Sequence, residues 1–274
     1  MHGEAMIAAC TIAGSDSGGG AGIQADLRTF AAFAVWGLSV VTAVTAQNTR
    51  EVRRAWMLPV EAVEAQIAAV CDDFFIGAFK TGMLGERGIV RAVAGALPEG
   101  VPLVVDPVMI STSGHTLLAP DAVADVVRLL VPRAAIVTPN LPEAEALAGI
   151  PVRRVSDMAV AGKRIRDLGA EAVVVKGGHL SGGVAVDVLV DAEGVLALEG
   201  RMYPYPVHGS GCCFASALAA LLARGCGVRE AFSAAKEFME TAVREAAPGS
   251  GGVRIANPGG SAFIMRRDEH YNHL

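Results

Sequence analysis

Short apolar runs alternate with helical segments along most of the chain, and this alternation constrains the fold more than any other feature. Five runs are largely apolar rather than apolar at every second position, and they cover residues 6–13, 75–80, 102–105, 134–137 and 172–175. Strands covered on both faces have such continuous apolar runs, and parallel strands need helical crossovers between them. The sequence therefore predicts an α/β fold with a mostly parallel central sheet and helices on both faces.

The remaining elements are predicted from periodicity and from breaker residues. Apolar residues at helical spacing predict helices over residues 23–34, 59–72, 89–97, 121–130, 158–168, 211–223 and 228–246. Val and Thr enrichment predicts a strand over 38–45, and residues 184–190 and 195–199 read as a hairpin. Residues 52–58 look like a short strand that pairs outside the main sheet.

The chain is expected to form a single domain over residues 1–274. With 52% hydrophobic and 19% charged residues it can bury a large core, and no shift in composition separates two halves. Residues 248–261 are rich in Gly, Pro and Ser, so the segment after about residue 247 is expected to be either a mobile tail or a docked strap.

Charge and composition exclude several classes of function. The net charge of −5 gives no basic field for nucleic-acid phosphates. No run reaches the roughly 18 to 20 apolar residues of a membrane span, and the first residues lack a secretory pattern, so a cytoplasmic protein is expected. Five cysteines, an odd number, do not suggest a disulfide scaffold. A small-molecule partner fits these properties best.

Polar residues and glycines follow nearly every predicted strand. Because ligands bind at the carboxyl ends of the strands in doubly wound sheets, these residues predict a phosphate-handling cleft at one sheet edge. The segments are Gly14-Ser15-Asp16, Gln47-Asn48, Lys80-Thr81-Gly82-Met83, Asp106-Pro107-Val108-Met109, Thr138-Pro139-Asn140 and Lys176-Gly177-Gly178-His179.

A glycine loop, residues 15–22, follows the first strand but matches no common nucleotide motif. With Gly18 and Gly20 as the first glycines of GxGxxG, the third position falls on Ile23, and no Gly-Lys-Ser/Thr sequence is present. The loop is either a flexible turn or a backbone that closely approaches a flat substrate, with Asp16 or Asp26 as an acceptor.

Residues 208–216, His-Gly-Ser-Gly-Cys-Cys-Phe-Ala-Ser, are the most informative segment. Gly209 and Gly211 leave backbone N–H groups open where an apolar helix begins, which favours an anion site. A thiol at such a helix start is expected to have a lowered pKa, so Cys212 is predicted to supply a thiolate. The alternative is a simple helix cap.

These motifs, in this order, resemble those of the phosphomethylpyrimidine kinases of thiamine biosynthesis, a family with the ribokinase-like fold. The resemblance extends from residue 11 to about residue 216. The segments that carry it are Thr11 to Asp26, Val44 to Thr49, Asp106 to Met109, Thr138 to Glu145, Lys176 to His179 and His208 to Cys212.

The resemblance implies roles for individual residues. A pyrimidine pocket is implied for Gly14, Ala21, Gln47, Met83 and Val108, with Asp26 nearby. An amide such as that of Gln47 both donates to and accepts from an aminopyrimidine edge. Core packing is the alternative for Met83 and Val108.

The resemblance also implies a magnesium and nucleotide site. Asp106 and Glu143, together with Asn140, correspond to the polar cluster that holds Mg²⁺ partly through water, beside the phosphates of ATP. Lys176 and Gly177 correspond to the nucleotide site. A solvated helix start is the alternative for Glu143, and a structural salt bridge is the alternative for Lys176.

At the predicted catalytic centre, Gly209 and Gly211 stabilise the transferring charge and Cys212 accepts or orients the proton of the substrate hydroxymethyl group. The sequence departs from the family pattern at Ser210 and Cys213, where threonines are usual, so an altered phosphate contact is expected. No catalytic role is assigned to His179 or His208.

The resemblance therefore implies ATP-dependent phosphorylation of 4-amino-5-hydroxymethyl-2-methylpyrimidine and of its monophosphate, by a homodimer. Three alternatives stay open: a pyridoxine or pyridoxal kinase, a non-catalytic pyrimidine-binding protein on the same fold, and a cysteine hydrolase or acyltransferase that uses Cys212. Gln47 and Met83 favour the pyrimidine over pyridoxal.

Overall fold

One nine-stranded sheet forms the centre of the computed structural model, which describes residues 6–111, 114–178 and 184–260. Its strands are β1 (Ala8–Asp16), β2 (Trp36–Gln47), β3 (Val52–Met57), β4 (Ile76–Thr81), β5 (Leu103–Val105), β6 (Ile136–Val137), β7 (Ala172–Val175), β8 (Val184–Asp191) and β9 (Gly194–Arg201). They lie side by side in the order β3-β2-β1-β4-β5-β6-β7-β8-β9. The pairings from β2 through β7 are all parallel, which confirms the predicted mostly parallel sheet.

The prediction that residues 52–58 pair outside the main sheet is wrong. Strand β3 is the edge strand of the main sheet and pairs antiparallel with β2. The reason is the turn between them, where the side chain of Asn48 accepts hydrogen bonds from the backbone N–H groups of Arg50 and Glu51. Such a tight turn returns the chain directly alongside β2. The predicted hairpin of β8 and β9 is confirmed.

Helices cover both faces of the sheet. They are α1 (Gly22–Ala32), α2 (Val60–Asp73), α3 (Arg87–Ala96), α4 (Pro120–Asp125), α5 (Leu141–Ala148), α6 (Val155–Arg166), α7 (Ser210–Ala223) and α8 (Val228–Arg244). The helix predicted over 121–130 is α-helical only as far as α4 and continues as a π-helical turn, Val126–Leu130, and a 3-10 turn. Pro132, in the 3-10 turn, has no N–H to continue a regular helix.

The core has two layers, one on each face of the sheet. Neighbouring residues of one strand enter different layers, since Val105 packs with Ile12 and Phe79 whereas Val104 packs with Phe30 and Phe232. Helix α7 is buried along most of its length, which explains why it has no polar face. The two buried faces account for the continuous apolar strands.

A small second sheet lies near the start of α7. It consists of β10 (Val207–His208), β11 (Ala247–Pro248) and β12 (Arg254–Ile255), with β12 in the middle. The segment after residue 247, expected to be a tail or strap, is therefore paired at least as far as residue 255. The remainder of the predicted tail after residue 260, and His179, lie outside the described residues.

The topology places the predicted site residues at one edge. Asp16 and Gln47 end β1 and β2, and Asp106 and Lys176 directly follow β5 and β7. Because these four strands are parallel within the sheet, their carboxyl ends meet at the same edge. Among the described helices, none is both long and apolar enough to cross a membrane.

Candidate active site

A cavity of about 380 Å³ lies at this edge of the sheet. The predicted site residues that line it are Ala21, Gln47, Asp106, Val108, Asn140, Glu143, Lys176, Gly209, Gly211 and Cys212. Four other predicted residues are not among those lining it: Gly14, Asp26, Met83 and Gly177. The cavity thus contains members of all four predicted groups of residues, and their individual roles stay predictions.

The carboxylate of Asp16 organises the glycine loop. Its Oδ1 accepts a hydrogen bond from the backbone N–H of Gly18 at 2.8 Å, and its Oδ2 accepts from those of Gly20 at 3.1 Å and Ala21 at 2.8 Å. Burial opposes its ionisation, but hydrogen bonds from His208, Gly18 and Ala21 hold the pKa of Asp16 below its usual value. Asp16 therefore shapes the loop rather than presenting a free acceptor to a ligand.

Asp26 does not line the cavity, but its charge acts on Cys212, which does, so its expected place near the pyrimidine pocket stays a prediction. Its side chain is fully buried and forms an ion pair with Lys80 at 2.9 Å, whose ammonium group is equally buried. Thr11 and Ser216 donate hydroxyl hydrogen bonds to it at 2.6 and 2.7 Å. Burial alone would lower the pKa of Lys80, but the negative charge of Asp26 raises it above its usual value.

Gly14 and Met83 pack against each other below the cavity floor. A Cβ atom on Gly14 would lie 3.0 Å from Sδ of Met83, so the thioether occupies the space of a side chain at residue 14. Both residues are buried, which supports core packing for Met83. Val108 does line the cavity, and its φ of 40° is rare for a β-branched residue. Such strain is often retained at binding sites.

Helix α7 begins at the cavity with open backbone donors. Gly209, its N-cap, has a φ of 80° and makes no side-chain capping bond. A Cβ there would also overlap the carbonyl oxygen of Gly20, so only glycine allows this approach. A Cβ on Gly211 would lie 3.3 Å from Nζ of Lys176, which places an ammonium group beside the first turn. A helix start with open N–H groups and a nearby ammonium group are features that favour an anion, so the predicted anion site stays a prediction.

The ammonium group of Lys176 pairs with Asp106. Nζ of Lys176 donates to Oδ1 of Asp106 at 2.9 Å, and Oγ1 of Thr138 donates to the same oxygen at 3.1 Å. Burial alone would lower the pKa of Lys176, but Asp106 and Glu143 raise it above its usual value. The salt bridge considered as the alternative for Lys176 is therefore present. Lys176 also lines the cavity, however, and stays positively charged there.

Asn140 and Glu143 form a capping box at the start of α5. Oδ1 of Asn140 accepts from the backbone N–H of Glu143, whose Oε2 accepts from that of Asn140, both at 2.9 Å. Glu143 therefore does cap a helix start, as the alternative held, but it is buried rather than solvated there. Burial and the nearby Asp106 raise the pKa of Glu143, although Lys176 opposes them.

Asp106, Asn140 and Glu143 are the residues predicted to hold Mg²⁺. The described residues contain no group of three or more His, Cys, Asp and Glu side chains arranged around a metal position. Each oxygen of Glu143 already accepts a backbone N–H, from Met109 and from Asn140. A carboxylate oxygen retains a second lone pair. The donor set therefore fits an ion that keeps several of its waters, as Mg²⁺ does.

The expectation that Cys212 supplies a thiolate is wrong for this structure. Burial, opposed by Lys80 and helped by Asp26 and Asp106, raises the pKa of Cys212 to about 11. The backbone N–H of Gly22 does donate to its sulfur, but this bond does not offset the loss of water. Cys212 is therefore a neutral thiol at pH 7, and its neighbour Cys213 is fully buried.

The structure explains why residue 177 is a glycine. A Cβ there would overlap the carbonyl oxygen of Val186, and its N–H donates to Oδ1 of Asp187 at 2.8 Å. The glycine thus permits a close approach to β8, and its place at the nucleotide site stays a prediction.

Two parts of the cavity lining were not predicted from the sequence. One is a group of residues called here the far wall, and the other is His208. The far wall includes Met202, Tyr203, Tyr205, Met239 and Val243, from the segment after β9 and from α8. The only signal for it was the aromatic sequence Tyr203-Pro204-Tyr205. The near end contains His208, which binds Asp16 at 2.9 Å and which the sequence left without a role.

Comparisons with known proteins agree with this geometry. The family described as phosphomethylpyrimidine kinase matches residues 16–255. A hydroxymethylpyrimidine/phosphomethylpyrimidine kinase of Rhizobium meliloti (strain 1021) is 47% identical over 241 residues, which is 87% of this chain and 91% of that protein.

Two solved structures share the fold. The ADP complex of Bacillus subtilis pyridoxal kinase is 39% identical with a TM-score of 0.85, over 92% of this chain and 97% of that one. Phosphomethylpyrimidine kinase from Clostridium difficile 630 is 42% identical with a TM-score of 0.76, over 86% and 98%. The fold is thus the predicted ribokinase-like one, and the chain belongs to the phosphomethylpyrimidine kinase family.

Proposed function

We propose that this kinase transfers the γ-phosphoryl group of ATP to the hydroxymethyl group of 4-amino-5-hydroxymethyl-2-methylpyrimidine, and then phosphorylates the monophosphate. One observation carries the proposal. A single cavity is lined by Ala21, Gln47 and Val108, by Asp106 and Lys176, and by Gly209 and Gly211 at the start of α7. The open backbone donors at that helix start suit a phosphoryl group in transfer.

Charge stabilisation is the main task of these groups. The transferring phosphoryl group passes through a loose transition state with charge on its outer oxygens, so positioning and donors matter more than a strong base. The N–H groups that follow Gly209 and the ammonium group of Lys176 supply those donors. Asp106 and Glu143 would hold Mg²⁺ partly through water, and the bound ion would neutralise the phosphates of ATP.

Cys212 acts in this proposal as a neutral group. A thiol with a pKa of about 11 is protonated at pH 7, so it orients the substrate hydroxyl rather than removing its proton. A base is not essential for phosphoryl transfer when the nucleophile is well aligned. The hydrolase alternative needs a thiolate and is therefore disfavoured.

The runner-up substrate is pyridoxal, which the likeness to a Bacillus subtilis pyridoxal kinase favours. Gln47 at the cavity favours the pyrimidine, because its amide both accepts and donates. Low activity on pyridoxal is compatible with the proposal.

We further propose that the protein works in the cytoplasm as a homodimer. Five free cysteines suit the reducing cytoplasm. The expected homodimer has a candidate contact on β2 and β3, where the exposed side chains of Val44 and Trp56 lie directly opposite each other.

The test supplies Mg²⁺ and ATP with, separately, the hydroxymethylpyrimidine, its monophosphate and pyridoxal. ADP is measured, and each product is identified by mass. Asp106→Asn, at the cavity, should lose most activity, whereas the matched change Asp157→Asn, on the exposed start of α6, should lose none. Mono- and diphosphorylated pyrimidine would support the proposal. Product from pyridoxal alone would shift the assignment to the runner-up, and no ADP with any acceptor would leave a binding protein.

A further inference from the structure

The imidazole of His208 joins the glycine loop, the end of β2 and the start of α7. It is 8% exposed and lies at the near end of the cavity. Its Nε2 is 2.9 Å from Oδ2 of Asp16 and 3.4 Å from Nε2 of Gln47. Its ring packs so closely on Gly20 that a Cβ there would overlap Cδ2 of the imidazole.

The proton on this imidazole can be placed from the Asp16 side. Asp16 accepts three backbone N–H bonds, which is the environment of an ionised carboxylate, and its pKa is lowered. An ionised carboxylate can only accept, so Nε2 of His208 must carry the proton and donate it. The Gln47 atom 3.4 Å from this protonated nitrogen faces an N–H and no lone pair, so an amide NH2 group would find no acceptor there. The carbonyl oxygen fits this place, as a second and longer acceptor of the proton that His208 donates to Asp16.

The contact between Gln47 and Thr45, on the other side of the amide, requires the same orientation of the amide. Oγ1 of Thr45 lies 3.0 Å from the carbonyl oxygen of Ser15 and 3.1 Å from Oε1 of Gln47. A carbonyl can only accept, so the single hydroxyl proton of Thr45 belongs to Ser15. The Gln47 atom next to Thr45 must then be the donor nitrogen. Both contacts therefore require the side-chain amide of Gln47 to be rotated by 180°, so that Oε1 faces His208 and Nε2 faces Thr45. The rotated amide occupies the same space.

We propose that His208 is a positioning residue that fixes the direction of the Gln47 amide and thereby selects the ring of the acceptor substrate. With Oε1 held by His208 and Nε2 held by Thr45, one N–H and one oxygen lone pair remain for a ligand, in a fixed order. This inference rests on the proposed function, since it concerns how that substrate is recognised.

The fixed order suits an aminopyrimidine. Its exocyclic amino group, a donor, is attached to the carbon next to a ring nitrogen, an acceptor, so one edge matches both free positions of the Gln47 amide. In pyridoxal the ring nitrogen and the ring hydroxyl are separated by a methyl-bearing carbon, so no edge offers that adjacent pair. A free amide could turn to suit either ring, whereas a fixed one discriminates between them.

Two changes at residue 208 test the role. His208→Leu removes the donor, and His208→Gln keeps an N–H that can reach Asp16. Loss of one fixed hydrogen bond corresponds to about a tenfold change in binding. We expect His208→Leu to raise KM for the pyrimidine about tenfold, to leave KM for ATP within about threefold, and to reduce the preference for pyrimidine over pyridoxal. His208→Gln should recover most of the loss.

A matched pair of threonines tests the other end of the amide. Thr45→Val removes the hydroxyl that holds the nitrogen of Gln47, and it should raise KM for the pyrimidine as well. Thr49→Val is the same change four residues later, where the hydroxyl donates to the carbonyl oxygen of Ser250 at 3.2 Å and the residue does not line the cavity. It should leave that KM unchanged. Equal effects of the two changes would contradict the proposal.

The tautomer of His208 provides a readout that does not depend on turnover. Nitrogen-15 NMR of the full-length protein at neutral pH should show a protonated Nε2, assigned by its loss in His208→Gln. An unprotonated Nε2 would overturn the inference, as would an unchanged pyrimidine KM in a folded His208→Leu protein. If the wild type phosphorylates no pyrimidine, the proposed function fails, and the tautomer still tests the first step of the inference, that Nε2 of His208 carries the proton that faces Asp16 and Gln47.

Discussion

At the scale of single residues, the ion pair beneath the cavity is the most demanding feature of the molecule. Asp26 and Lys80 are fully buried and 2.9 Å apart. Two buried charges are tolerated only when they are paired and hydrogen-bonded, and Thr11 and Ser216 complete the shell of Asp26. Removal of one partner leaves the other charge without compensation.

We therefore expect Lys80→Met to lower the free energy of unfolding by about 3–5 kcal/mol. The double variant Lys80→Met/Asp26→Asn should be more stable than Lys80→Met alone, because its amide is neutral. The amide oxygen still accepts one of the two hydroxyl bonds, and the amide NH2 group can donate to the oxygen of the other hydroxyl. Urea unfolding measures both. Arg53→Met, which breaks the exposed pair with Glu51, should cost less than about 1 kcal/mol. A double variant less stable than the single one would show that the charge is not the cause.

Cys212 is predicted to react slowly at neutral pH. Only the thiolate is nucleophilic, and the pKa of about 11 leaves it scarce at pH 7. The rate of iodoacetamide labelling of the Cys212 peptide should rise about tenfold per pH unit from pH 7 to 10. Mass spectrometry of the peptide separates it from the partly exposed Cys71 and Cys226. A plateau below pH 8 would instead indicate the thiolate expected from the helix start.

The contrast between Cys212 and Lys176 shows what a sequence reveals about single residues. Both were expected at the cavity, and both line it. Their order along the strands and helices was enough to predict that. The pKa of Cys212 depends on burial and on Lys80 and Asp26, which are distant in the sequence, so a helix start alone gave the wrong direction. The same holds for Asp26, whose partner Lys80 is 54 residues away in the sequence.

At the scale of elements, the two ends of α7 both have glycines in the left-handed region. Gly209 precedes the helix with a φ of 80°, and Gly225 follows it with a φ of 87°. Their surroundings differ, because a Cβ on Gly209 would overlap Gly20 whereas one on Gly225 would meet no atom within 4 Å. Gly225 is required only by its backbone angle. Gly209 is required by its backbone angle and also by its close approach to Gly20.

Gly225→Ala should therefore cost about 1–2 kcal/mol of stability and leave kcat/KM unchanged. Gly209→Ala has the same backbone cost and also pushes the glycine loop away from the start of α7. Displacing the donors of the charge-stabilising site should lower kcat/KM about 100-fold or more. Steady-state kinetics and urea unfolding of both variants are compared. If the two alanines lowered kcat/KM equally, the close approach of Gly209 to Gly20 would have no functional weight.

Elements with a strong local pattern were predicted well, and elements that depend on partners were not. The apolar period of α7 and the hairpin of β8 and β9 are visible in the sequence. The place of β3 in the main sheet depends on which strand it pairs with. In the small second sheet, β10 pairs with β12, for example Val207 with Arg254, far along the chain. Neither dependence leaves a local pattern in the sequence.

At the scale of the whole molecule, the α/β class and the cavity edge follow from the order of strands and helices, whereas the far wall of the cavity does not. Tyr203 and Tyr205 come from the segment after β9, and Met239 comes from α8. They meet only because the sheet carries β9 past the carboxyl ends of the parallel strands. A contact of this kind is a property of the assembled fold.

The single-domain prediction can be tested by unfolding with and without ligands. One sheet carries both core layers, so its loss should expose both together in one cooperative transition. A ligand at 100 times its Kd adds about 2.7 kcal/mol, which for a chain of this size raises Tm by roughly 5 to 10 °C. Calorimetry should show Mg²⁺-ATP and the pyrimidine each shifting that whole transition. Because the cavity is lined by residues from the glycine loop to α8, a transition that split in two, with only one part moved by ligand, would mean that the chain folds as two domains.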